Sequence, residues 1–159
     1  MNAALTKKAL LQAIACAMAI NLAAHGAANG ADGPVAKPPT NTMKIRLTIN
    51  GKAISATLLA NGAAKDFLSL LPLTLSLDDY AATEKIAYLP RKLSTAGAPA
   101  GSHPSVGDIA YYAPWGNLAI FYKDAPYANG LIPLGRIDSG IEALSVSGKL
   151  KVTIGPGEK

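Results

Sequence analysis

The sequence predicts a mostly-β domain: a closed barrel of about eight short strands, with one main helix plugging an open end and one short helical turn. Three observations carry this prediction. Beyond Thr42, apolar and polar residues alternate with a period of two through most of the bulky apolar runs, the mark of strands with one buried face. Turn-forming residues punctuate those runs at short intervals, as at Asn50-Gly51, Pro114-Trp115-Gly116-Asn117 and Gly155-Pro156-Gly157. Only one substantial run, after Asn61, carries its apolar residues at helical spacing. Closing such a set of strands on itself removes the exposed edges that would otherwise pair with other chains.

The segment before the barrel reads differently. Met1 to Lys8 holds two lysines and no acid, Ala9 to Ala24 is almost wholly apolar, and Ala23-Ala24-His25-Gly26-Ala27-Ala28 is built from small residues. A charged start, an apolar middle and a small-residue cleavage zone describe a secretory signal peptide over residues 1–28, with cleavage expected between Ala24 and Ala28. Asn21 and His25 interrupt the apolar run short of the roughly 20 residues a retained membrane span needs, so no stable membrane insertion is expected after cleavage. Residues 29–41, rich in Gly, Ala and Pro, read as a flexible linker. The folded domain is expected over 42–155, followed by a short tail at 156–159. About 115 residues suffice to bury a core without metals or disulfides.

Within the domain, Met43, Ile45, Leu47 and Ile49 alternate with Lys44, Arg46 and Thr48, a half-buried strand. Asn50-Gly51 is the preferred pair for a type I′ turn, whose two central residues need positive φ. Lys52 to Leu59 returns as the partner strand, with Ile54, Ala56 and Leu58 facing the same core. Asn61 is placed to cap a helix whose apolar face is Ala63, Ala64, Phe67, Leu68, Leu70 and Leu71 and which Pro72 ends. Leu73, Leu75 and Leu77 form the next strand, and Asp78-Asp79-Tyr80 is expected to leave it for solvent. Lys85 to Leu89 is a shorter strand. Ser94 to Val106 is a loop of small residues around His103, the one histidine of the mature domain; ordered loops of this length are often functional.

The run from Gly107 to Tyr122 then holds five of the chain's nine aromatic residues, in two strand-like stretches around Pro114-Trp115-Gly116-Asn117. It reads as a central β-hairpin. A regular strand sends neighbours to opposite faces, so one of Tyr111 and Tyr112, and one of Phe121 and Tyr122, belongs to the core and the other to a groove. Lys123 to Gly130 is a further loop. Leu131 to Ile137 is apolar but carries Pro133, which suits an edge or a bulge. Asp138 or Ser139 could cap a helical turn through Ile141 to Leu144, and Leu150, Val152 and Ile154 form a last strand.

Composition excludes several kinds of chemistry. The single cysteine, Cys16, lies in the signal segment; the Ala13-Ile14-Ala15-Cys16 run lacks the leucine of a lipobox, which argues against a lipoprotein. The mature domain therefore has no thiol for disulfides, catalysis or zinc. His103 has neither a serine nor an acid at triad spacing, and no second ligand that would make a metal site, so no metal and no cofactor are expected. The net charge of +5 falls to +3 without Lys7 and Lys8. Basic residues of the remainder, such as Lys44/Arg46, Lys85, Arg91/Lys92 and Lys149/Lys151, are scattered rather than gathered on one face. They read as solvated strand positions, so no nucleic-acid partner is expected. Arg136 is expected to pair with Asp108 or Glu142.

The order of elements resembles the cyclophilins. A hairpin followed by a helix with Phe67-Leu68-Ser69-Leu70-Leu71 is similar to their start. Leu134-Gly135-Arg136-Ile137-Asp138-Ser139-Gly140-Ile141-Glu142-Ala143-Leu144 is similar to their "FGxVxxGMxxV" segment, and Gly116 to Tyr122 occupies the place of their "GSQFFIT" strand. From Met43 to Ile154 the chain resembles the bacterial cyclophilin-like domain family, which is distant from true prolyl isomerases. The isomerase string "FHRVIxxFMxQGGD" has no counterpart; Tyr88-Leu89-Pro90-Arg91 supplies an arginine in that region without the flanking Phe, His and Gln. The resemblance implies a barrel with a groove. Combined with the aromatic hairpin, it points to an exported protein, periplasmic or secreted, that binds a small molecule or an extended peptide. The groove is expected to be lined by Tyr112, Trp115, Asn117 and Phe121, with Arg91 at its rim and no catalytic residue assigned. The alternatives are a periplasmic peptidyl-prolyl cis-trans isomerase, with Arg91 near the prolyl nitrogen, and a non-catalytic partner-binding module.

Overall fold

A computed structural model describes residues 43–157. The expected signal peptide, linker and last two residues of the tail lie outside the described residues. The strands are β1 (Met43–Ile49), β2 (Lys52–Leu58), β3 (Leu73–Tyr80), β4 (Glu84–Tyr88), β5 (Gly101–Ser102), β6 (Asp108–Tyr112), β7 (Asn117–Phe121), β8 (Ala128–Asn129), β9 (Leu131–Ile137) and β10 (Leu150–Pro156). One α-helix, α1 (Gly62–Leu68), and one 3-10 turn, Ile141–Leu144, complete the described residues. Eight strands close into a barrel in the order β1-β10-β3-β4-β7-β6-β9-β2, and β5 pairs with β8 outside it. The mostly-β closed barrel expected from the sequence is the fold observed.

The local reasons are those the sequence supplies. At the β1–β2 turn, Asn50 and Gly51 have φ of 49° and 77°, and full pairing runs from Met43↔Leu58 to Ile49↔Lys52. The Asn61 carboxamide accepts from Ala64 N at 2.8 Å and donates to Pro133 O at 2.9 Å, so one side chain both starts α1 and ties it to β9. Ala63, Ala64 and Phe67 are the buried face of α1. The helix stops at Leu68, earlier than Pro72 alone would require. The Ser69 hydroxyl donates back to Asp66 O at 2.6 Å, a side-chain bond that competes with helix continuation, and tighter turns carry the chain on through Leu70 and Leu71. In β9, Ile109 pairs with Gly135 and Ala110 with Pro133, leaving Leu134 as an extra residue; the bulge accommodates the proline.

Four expectations need correction. β3 does not end at Leu77 but continues through Asp79 to Tyr80. Lys85 is not a solvated strand position: it is 0 % exposed and shares the inward face of β4 with the core residue Ala87. Its ammonium meets Asp79 Oδ1 at 2.8 Å and donates to Val146 O at 2.7 Å and Gly148 O at 2.6 Å, which uses all three of its donors. The Asp79 carboxylate also accepts from Tyr122 Oη at 3.1 Å and Gly148 N at 2.7 Å. Its hydrogen bond from Lys85, then that from Gly148, hold its pKa below the ordinary aspartate value. This cluster of paired charge holds β3 in the barrel to its end. The turn at Ile141 begins from Gly140 at φ 85°, with no side-chain cap; Asp138 is occupied instead by Lys44 Nζ at 2.9 Å and Thr57 Oγ1 at 2.6 Å. Lastly, the two loops at 94–106 and 123–130 contribute β5 and β8, paired through Gly101↔Asn129 and Ser102↔Ala128. A Cβ at position 101 would collide with Ala128 O and with the Tyr127 ring, so glycine is what lets the two straps approach.

The barrel wall consequently has two apolar faces. Inside lie Ile45, Leu47, Phe67, Tyr111, Leu118 and Ile120 among others. Outside, where the straps cross the wall, a second cluster gathers Ala110, Ala119, Phe121 and Leu131, with Ile86 and Tyr112 packed against it.

Candidate functional site

The hairpin of β6 and β7 divides its aromatics as the period of two requires. Tyr111 is fully buried in the barrel, where its hydroxyl accepts from Leu93 N at 3.2 Å. Tyr112, one residue on, stands on the outer face. In β7, Leu118 and Ile120 point in, while Asn117, Ala119 and Phe121 point out. The four-residue turn between the strands places Gly116 at φ 77°, a left-handed position suited to glycine, and Gly116 N closes it onto Tyr112 O at 2.9 Å. Trp115 is thereby held at the end of the outer face, 44 % exposed.

On this outer face lies a cavity of about 340 Å³, within the usual size range of small-molecule sites. Its floor is the barrel wall: Ile86, Asn117, Phe121 and Leu131. One side is the strap, with Pro104, Pro126 and Tyr127. The other is Trp115 with Tyr80, Ala81, Thr83 and Glu84 at the tip of the β3–β4 hairpin. Trp115 is the pivot of the aromatic wall. Its ring centroid is 5.3 Å from that of Tyr80, with planes 88° apart, and 5.3 Å from that of Tyr112, with planes 82° apart. The hairpin tip itself is strained, since Ala81 and Ala82 have φ of 50° and 54° in a region that costs residues with a Cβ about 1–2 kcal/mol each. Thr83 O holds the tip down by accepting from Tyr122 N and Lys123 N.

Two polar groups on the lining stand out. Asn117 is 2 % exposed; its Nδ2 donates to Leu118 O at 3.1 Å, and its buried Oδ1 has no partner among the described residues. Glu84 is partly buried and accepts one hydrogen bond, from Thr83 Oγ1 at 3.1 Å. Burial pushes its carboxyl above the ordinary glutamate value, and the Thr83 bond only partly offsets that.

Of the residues the sequence singled out, the structure brings Tyr112, Trp115, Asn117 and Phe121 together on this lining. It does not bring Arg91. The Arg91 guanidinium lies instead against α1, 2.6 and 2.9 Å from the two carboxylate oxygens of Asp66 and 3.1 Å from Ser69 Oγ. Asp66, which also accepts from Ser94 N at 2.7 Å, has its pKa drawn down to about 2, chiefly by the Arg91 hydrogen bond. Arg91 therefore fastens the segment after β4 to the helix, and the rim position expected for it is corrected. Arg136 pairs with Asp108 at 2.9 Å, one of its two expected partners. His103 is exposed, beside the Tyr127 ring at 5.2 Å, and among the described residues no group of side chains could hold a metal. Sequence reading missed Tyr80, Glu84 and Tyr127. Extending the alternation of Leu73, Leu75 and Leu77 by three residues would have placed Tyr80 on the outer face.

Residues 47–155 match the model of the cyclophilin-like family. No curated protein matches the chain. Among solved structures, the chain is similar to the solution structure of a hypothetical protein from Archaeoglobus fulgidus. The identity is 17 % and the TM-score 0.54, over 73 % of this chain and 95 % of that one; at that identity the likeness concerns the fold. With its barrel complete and most of its length matched, the chain belongs to the cyclophilin-like family.

Proposed function

We propose that this protein is exported, to the periplasm or beyond, and binds a small molecule or an extended peptide in the cavity on the outer face of the β6–β7 hairpin. The observation that carries the reading is the aromatic-lined cavity itself, about 340 Å³, with Asn117 and Glu84 as polar groups on its lining. A concave, mostly apolar pocket with a few polar groups is the usual form of a small-molecule site. Trp115, the chain's one tryptophan, reports on the site. Titrating its fluorescence with peptide and metabolite pools is expected to give a saturable change with at least one pool; a Trp115 unresponsive to every pool would sink the idea. Export rests on the sequence pattern of residues 1–28. Mass spectrometry of the protein from its native host is expected to show a chain beginning after a cleavage between Ala24 and Ala28.

The alternatives are weaker. Prolyl isomerisation is helped by a donor such as a guanidinium near the prolyl nitrogen. The cavity lining holds no arginine, and Arg91 is engaged by Asp66. A protease-coupled assay on an Ala-Pro peptide, run on the native protein and Arg91→Ala, is expected to show no rate above background for either. A purely partner-binding module would have no need of a concave aromatic cavity.

A further inference from the structure

We infer that the occupant of the outer-face cavity, on the binding reading given above, is a cationic amine: an organic group bearing an ammonium with N–H donors to share. The one charged group of the lining and its aromatic wall select in that direction. The lining has one carboxylate, Glu84, and no lysine, arginine or histidine. No cation pairs with Glu84 among the described residues, and its one hydrogen bond, from Thr83, leaves most of its acceptor capacity open. Asn117, at the Tyr88 end of the β4–β7 pairing, keeps its buried Oδ1 without a partner among the described residues. Around these acceptors, Tyr80, Trp115 and Tyr112 stand nearly at right angles in sequence, forming a wall of aromatic rings whose negative faces attract a cation within about 6 Å.

The three ligand charges fare differently against this wall. An anion would meet the Glu84 carboxylate where water is partly excluded, which is repulsive. A neutral apolar ligand would fill the cavity but bury Glu84 further, which is unfavourable. An ammonium satisfies the carboxylate and lies against a ring. The rest of the fold sharpens the contrast. Lys85, the next residue, is buried with every donor met inside the chain, so the lack of a cation beside Glu84 is a local feature of this cavity. The same chemistry could come from a lysine side chain within an extended peptide or from a free alkylamine, and the volume of about 340 Å³ admits either.

The test uses the folded protein, Trp115 fluorescence and calorimetry, with four probes. Three are blocked tripeptides with alanine on either side of lysine, norleucine or glutamate; the fourth is n-butylammonium. The lysine peptide is expected to bind about ten- to a hundredfold more tightly than the norleucine peptide, the range that a charge-assisted hydrogen bond supplies. The glutamate peptide should bind most weakly. Glu84→Gln keeps the side-chain shape and an acceptor for Thr83, and it should bring the lysine and norleucine peptides to similar affinities. Glu142→Gln, at a carboxylate outside the cavity paired with Lys52, should leave the ratio as in the native protein. Saturation by n-butylammonium at a similar affinity assigns the source to free amines; saturation by the lysine peptide alone assigns it to peptides. Norleucine or glutamate binding as tightly as lysine, or a ratio unmoved by Glu84→Gln, overturns the cationic inference while the cavity remains a binding site. Silence from all four probes and from the broader pools overturns both.

Discussion

Glu84 and Lys85 are neighbours on β4, yet the barrel wall puts them in opposite circumstances. Lys85 faces inward, fully buried, and every one of its donors is met by Asp79, Val146 O or Gly148 O. Glu84 faces outward into the cavity, half desolvated, with a single threonine hydroxyl for company. Burying a charge is tolerable when the chain itself completes the coordination; where the chain leaves it incomplete, something outside the chain is positioned to do so. The same division separates Tyr111 from Tyr112. The inner ring has its hydroxyl bonded to Leu93 N, whereas the outer ring packs edge-on against Trp115 at the cavity. One face of the wall is a finished core, and the other is a surface with unmet bonds.

The comparison can be broken most forcefully at Lys85. Lys85→Met removes the buried ammonium that Asp79, Val146 O and Gly148 O share, and is expected to cost about 1.5–3 kcal/mol in urea unfolding; a loss below about 0.5 kcal/mol would mean the inner cluster does not hold the barrel end. Next comes the hairpin itself. Tyr111→Phe leaves a buried Leu93 N–H without its acceptor and should cost about 1–3 kcal/mol, while Tyr112→Phe, on the outer face, should stay within about 0.5 kcal/mol.

The strained tip at the cavity rim gives a smaller effect of opposite sign. Ala81→Gly should stabilise the protein by about 0.5–1 kcal/mol, since relief of the left-handed conformation outweighs the added entropy of the unfolded chain. The smallest effect concerns charge. Folding raises the Glu84 pKa, so the folded state binds its proton more readily than the unfolded state does. Stability from this group is then greatest below the ordinary glutamate value and declines as pH rises through the raised one. Glu84→Gln should therefore gain less than about 1 kcal/mol at pH 7, a gain that fades near pH 4. Asp79 runs the other way: its pKa is lowered, so its contribution is present above the ordinary aspartate value and lost as pH falls through the lowered one.

Much of this was legible in the chain. Regular alternation marks most barrel strands, Asn50-Gly51 the first turn, and the period of two puts Tyr111 and Tyr112 on different faces. What escaped was whatever depends on partners distant in sequence. Lys85 sits in an alternating strand exactly as a solvated lysine would, and only Asp79 and the 146–148 segment across the barrel end make its burial possible. Arg91 looked free for a ligand because Asp66, its partner, lies 25 residues earlier on a helix. β5 and β8 span two residues each, too short for any periodicity, and their pairing rests on a glycine whose need shows only when Ala128 and Tyr127 close over it. Glu84 carries no signal in sequence beyond its type; its meaning comes from the desolvation the strap and hairpin tip impose.

The central claim, that the outward face of the β6–β7 hairpin holds a ligand while the inward face is closed core, is tested most directly by side-chain nitrogen NMR during titration with the peptide and metabolite pools. The Trp115 Nε1–H and Asn117 Nδ2 signals are predicted to shift together along one saturable curve, with the backbone amides of helix α1, which packs on the inner core, unmoved. Absence of any shift at Trp115 and Asn117 with every pool, or shifts spread equally through α1, would contradict it.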